Sequence, residues 1–149
     1  MMKITHSMAV MFFGSFLIQY FMIPPIMVSS TMYIHNTIGK AYLSVITGLC
    51  MVLLEVMMHD HQYSVCSTTT YIILAILLGV MITLYRKQYA IDDTQYVKEM
   101  MEHHSKSLLI SEEILKKTDD YNVTKLAKNS IQTYTDELRF MNGILAKMQ

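Results

Sequence analysis

Formal charge is confined almost entirely to one end of this chain. Of its 12 basic and 12 acidic residues, residues 1–85 hold only Lys3, Lys40, Glu55 and Asp60. A stretch that poor in charge cannot present an ordinary water-facing surface. The step therefore divides the chain into a membrane part over residues 1–88 and a water-facing part over 89–149. Net charge is zero and no basic run is long enough for a phosphate backbone, so nucleic acid is not an expected partner. The lipid bilayer is.

Three apolar segments approach the roughly 20 residues needed to cross a bilayer as helix. They cover about 8–27, 41–58 and 70–85, the last extended by Thr68-Thr69-Thr70 and anchored by Arg86-Lys87. Tyr20, Tyr42, Tyr71 and Tyr85 fall near segment ends, as interfacial aromatic residues do. Pro24-Pro25 predicts a kink or a stop, because proline removes a donor and crowds the preceding turn. A cleaved leader is the other way to read residues 1–28, and Lys3 suits one. The apolar stretch is longer than the roughly 7–15 residues of a leader and no A-x-A site follows, so a retained span is expected. With three spans, Lys40, Arg86 and Lys87 lie on the side of the C-terminal part, and that distribution favours a cytosolic hairpin.

The charged part reads as two helices, about 92–117 and 123–147, making the chain all-α. Asp92 or Asp93 caps the first, whose inner line is Val97, Met100, Met101, His104, Leu108 and Leu115. Thr118-Asp119-Asp120 and Asn122 supply the turn. The second helix carries Leu126, Ala127, Ile131, Tyr134, Leu138 and Met141 on its inner line, with Glu137 among them. If the turn centres near Asp120, antiparallel neighbours have numbers summing to about 241. His104 is then level with Glu137, and Met100 with Met141. Two such helices bury little on their own, so two copies closing a four-helix bundle, a homo-oligomer, is the economical solution, and packing against the membrane helices is the other.

Met100-Met101-Glu102-His103-His104 places two imidazoles and thioether sulfur within about one turn. Imidazole is a general transition-metal ligand, and thioether sulfur favours monovalent copper. His103, His104, Met100, Met141 and Glu137 are therefore the candidate metal ligands. A weaker second cluster is Glu55, Met58, His59 and His61, of which the first three share a helical face. Fifteen methionines, six histidines and no tryptophan make the background Met-rich, and flexible Met also serves as apolar filler. The competing reading pairs His104 with Glu137 only to fix the hairpin register and leaves His103 in water. Glu55 near a helix end can likewise be simply solvated, and Asp60 can cap or bind a cation. Cys50 and Cys66 form no C-x-x-C pair or zinc spacing.

On Met100-Met101-Glu102-His103-His104-Ser105, the later Glu137-Leu138 with Met141, and Asp93, the chain resembles the domain of unknown function 305 family. These are ferritin-like helical hairpins with a Met-x-Pro-His-His-Ser signature. His6 and Arg86-Lys87-Gln88 extend the resemblance to a branch with three N-terminal spans. The resemblance implies copper binding, a property of some members known as periplasmic copper-binding proteins, and a hairpin outside the cytosol. Glu102 stands where the family has proline, and Tyr134 where it has glutamine. The loop His59-Asp60-His61-Gln62 lacks the basic character usual in that branch.

The expected function is an integral, multi-pass membrane protein with a copper-binding hairpin, in copper storage, buffering or tolerance. The alternative is a structural membrane protein whose hairpin mediates self-association or partner docking without metal. A third reading, a metal transporter subunit, rests on Glu55 and the membrane methionines. No Glu-x-x-His pair, Gly-rich phosphate loop or based nucleophile points to an enzyme.

Overall fold

The computed structural model describes residues 4–148, and among these every regular element is helical, with no strand. The order is α1 (Ile4–Leu17), a π-helical turn (Ile18–Met22), α2 (Ile23–Met27), a 3-10 turn (Thr31–Tyr33), α3 (Ile38–Tyr63), α4 (Thr68–Arg86), α5 (Asp93–Leu115) and α6 (Tyr121–Met148). Lys3, which entered the leader argument, lies outside the described residues.

Three helical runs are long and apolar enough to cross a membrane: Ile4–Met27, Ile38–Tyr63 and Thr68–Arg86. Each begins earlier than its expected span, and α3 also ends later. Polar residues such as Lys40 and Asp60 extend these helices beyond their apolar centres. The prolines neither stop nor end the first run. Proline nitrogens cannot donate to the carbonyls of Tyr20 and Phe21, and the preceding turn loosens to π geometry, with Ile23 N–H donating to the Ile18 carbonyl. Helix then continues to Met27.

α3 packs against both α1 and α4. Its buried line takes every fourth residue, Lys40, Ser44, Gly48, Val52, Val56 and Asp60, so small side chains occupy the middle. A Cβ at Gly48 would lie 2.8 Å from Phe12 Cδ2 and 3.2 Å from the Phe12 carbonyl oxygen, so only glycine allows α1 this close. Further along, Leu49, Val52, Val56 and Leu74 form an apolar cluster. The α3–α4 connection closes on Asp60, whose carboxylate accepts from Ser67 N at 2.6 Å and from Ser67 Oγ at 2.8 Å. Of capping or cation binding, the structure has Asp60 holding the start of α4.

The chain divides into two compact units, and the division is not a single cut near residue 88. One unit takes the chain up to Ile23 together with Ile38–Ala90. The other joins Pro24–Thr37 to the hairpin from Ile91 onward. Within that second unit, Asp92 caps α5 by accepting from Gln95 N at 2.7 Å. Asp120 accepts from the amides of Asn122 and Val123, which starts α6 two residues earlier than expected. Val97, Met101, Leu138, Met141 and Leu145 make the core; Met101 is 1% and Leu138 2% exposed. Leu126, assigned to the inner line, is instead 67% exposed. It lies beside the hairpin turn, on the outer side of buried Ala127.

Candidate metal centre

The hairpin register follows from capping and the apolar line, and it brings His104 opposite Glu137. His104 Nε2 lies 2.7 Å from Glu137 Oε2. The other ring nitrogen, Nδ1, lies 2.6 Å from the Met100 carbonyl oxygen one turn earlier. A carbonyl only accepts, so Nδ1 carries the proton in that bond. This is the support that metal-binding imidazoles commonly have: one nitrogen donates to the protein and fixes the ring, while the other faces a ligand. The edge of Tyr134 meets the His104 ring, with centroids 5.2 Å apart and planes at 73°. Tyr134 thus closes one side of the imidazole.

An open cleft of about 290 Å³ adjoins the pair, lined by Met100, His103, His104, Ser107 and Tyr134. Both imidazoles and one thioether residue therefore border the same space. Ligand atoms about 2 Å from one metal ion stand about 3 Å apart, so His104 and Glu137 need to open only slightly to share one. The donor set fits a soft or borderline ion.

Two expected positions differ. Glu137 is not within the core; its side chain is 49% exposed against 14% for His104, because it stands on the rim of α6 and reaches inward to the imidazole. Met141 goes the other way and belongs to the apolar core beneath, packed with Leu138 and Val97. Among the described residues, no three His, Cys, Asp or Glu side chains converge as a metal-ligand group.

The second cluster is not gathered either. Glu55 accepts a hydrogen bond from the Ser7 hydroxyl on α1. His59 lies beside Asp60 at 3.4 Å and against the Tyr63 ring at 4.7 Å. Met58 and His61 are exposed. Cys50 and Cys66 are free thiols.

Sequence reasoning missed Ser105, the residue after the histidines. It is fully buried and joins the segment Pro24–Thr37 to α5. Ser29 N donates to Ser105 Oγ at 3.0 Å, the two hydroxyls are 3.0 Å apart, and Ser29 N also approaches the Ser105 carbonyl at 3.2 Å. Tyr33 packs on the same core. Its signals in the sequence were its place after the two histidines of the signature and its position on the inner side of an amphipathic helix, and neither pointed to Ser29.

Residues 93–149 match the family described as domain of unknown function (DUF305). The uncharacterized protein L153 of Acanthamoeba polyphaga mimivirus is 31% identical over 98 residues, 66% of this chain. The match spans 63% of that relative's length. No solved structure matches the chain.

Proposed function

We propose that this chain is a multi-pass membrane protein whose hairpin binds copper, in a storage, buffering or tolerance role, and that it is a binding protein rather than an enzyme. The observation that carries the reading is the setting of His104: Nδ1 anchored on the Met100 carbonyl, and Nε2 turned to Glu137 beside a cleft that His103 and Met100 also line. His104, His103 and Glu137 would hold the ion, with thioether sulfur from Met100 favouring the monovalent state. Met141 would support from the core. The match over residues 93–149 supports the hairpin as one unit, and three helices long and apolar enough to cross a membrane support the membrane part of the reading.

A second reading has an observation of its own. The His104–Glu137 contact is already closed at 2.7 Å, as a hydrogen-bonded clamp on the hairpin register needs no metal. Copper content of the purified full-length protein, loaded as Cu(I), separates the two when compared with the His103→Ala/His104→Ala variant. Metal binding predicts that the variant loses most of its copper. Equal copper in both proteins, with only stability altered, leaves the clamp as the role of the pair.

A further inference from the structure

The two flanks of the hairpin are unlike. On one, the segment Pro24–Thr37 meets α5 through Ser29 and Ser105, and Glu102 is buried with Lys106 beside it. The α6 residues of that flank include Lys128, Gln132 and Arg139, all exposed. On the other flank His104 turns to Glu137 and Tyr134. There, α5 shows the line Tyr96, Met100, His103, Ser107, Ile110, Ile114, and α6 the line Leu126, Ser130, Thr133, Glu137, Phe140, Ile144.

Both lines step by four, three, four, three and four residues, the spacing by which helices pack side by side over several turns. Neither contains Lys or Arg, and Glu137 is the sole carboxylate in the two lines. Yet large apolar members face outward: Ile110 is 67%, Phe140 70% and Tyr96 58% exposed. Tyr96 and Phe140 lie towards one end of the face, Ile110, Ile114 and Leu126 towards the other, and the histidines with Glu137 lie between. A surface of that kind is complementary to itself. Two copies related by a twofold axis along the bundle set α5 of one antiparallel to α6 of the other, at the same level. The exposed His103 of each copy then meets Glu137 of the second, the charge complement that one copy leaves unmet.

We infer that this flank is the contact surface for a second copy of the chain, and that pairing gathers four imidazoles and two carboxylates into one layer. The metal part of the inference rests on the copper reading above; the docking surface does not. Within one copy no three His, Cys, Asp or Glu side chains converge among the described residues, whereas the paired layer supplies more than three. The site is thus incomplete without the partner.

The test is the mass of the full-length protein in detergent, by light scattering with a chelator present, followed by Cu(I) loading. The wild type is expected to be dimeric without metal. Phe140→Glu and Ile110→Glu place a charge on outward side chains, so each copy should keep its helicity while the dimer weakens by about tenfold or more. Gln132→Glu, on the opposite flank, should leave the dimer intact. A monomeric wild type, or a dimer that Phe140→Glu and Ile110→Glu leave unchanged, overturns the docking surface. Copper per chain should fall in Phe140→Glu; equal loading of monomer and dimer overturns the shared layer. A metal-free dimer that takes up no Cu(I) supports the surface and removes the copper reading instead.

Discussion

α4 and α6 are both long, regular helices, yet they are held in place by different physics. On α4, Leu74 is the buried residue, while Ile72, Ile73, Ile76 and Val80 face outward. α6 buries Ala127, Leu138, Met141 and Leu145 on one line and carries exposed Lys128, Gln132 and Arg139 on one flank of it. Water drives the burial on α6. A helix apolar all round gains nothing of that kind when its surroundings are lipid, so packing geometry and buried hydrogen bonds must hold it. α3 meets those needs in its own unit, with Gly48 against Phe12 and Asp60 against Ser67. With α4 in lipid, one chain would fold by size matching in one unit and by the hydrophobic effect in the other.

The contrast is broken most directly in the hairpin core. Leu138→Ala should cost about 2–5 kcal/mol, seen as lost amide protection across α5 and α6 in hydrogen exchange on the full-length protein. Ile76→Ala on α4 should change stability by no more than about 0.5 kcal/mol. Comparable losses from the two would show that α4 is not facing lipid. Next comes Gly48→Val, expected to cost about 1–3 kcal/mol in detergent-based unfolding because the added atoms meet the Phe12 ring and backbone. Gly14→Val and Gly79→Val serve as controls, since a Cβ at either meets nothing within 4 Å. If all three behave alike, close approach at Gly48 is not what holds α1 to α3.

A smaller effect, about 1 kcal/mol, is expected for Ser105→Ala, which removes the hydroxyl that Ser29 uses. Limited proteolysis within residues 28–37 should accelerate, and an unchanged cleavage rate would mean the Ser105 hydroxyl is not what holds the segment. The smallest concerns Glu113, whose carboxyl is held below its ordinary value first by the hydrogen bond from Lys116 and then by that lysine's charge. A depressed carboxyl pKa stabilises the fold above the unfolded-state value, and that help fades as pH falls through the depressed one. Lys116→Ala should raise the Glu113 titration midpoint in NMR with little change in stability, because the pair is open to solvent. A midpoint that stays put would rule out Lys116 as the cause.

Much of this was legible in the residues. The charge step placed the apolar helices, and Asp92 was one of two candidates to cap α5, whereas Asp120 was legible only as part of the turn and not as the residue that starts α6. The level of His104 with Glu137 came from counting outward from the turn, and the hairpin keeps that count. What escaped depended on neighbours distant in sequence. Glu137 shares its inner line with Leu138, but only the packed hairpin shows which lies beneath and which stands on the rim. The role of Ser105 required Ser29, 76 residues earlier. Pro24-Pro25 predicted a break, yet one loosened turn let the helix carry on.

Sequence alone determined that the chain is all-helical, which stretches suit lipid and which suit water, and where the hairpin turns, because hydropathy period and capping are local properties. The tertiary structure decided that Pro24–Thr37 joins the hairpin, that Glu55 meets Ser7 rather than His59, and that His104 is oriented by a backbone carbonyl. Those outcomes depend on which surfaces approach closely enough to exclude water and satisfy each polar group, and closeness between distant residues is not encoded at any single position.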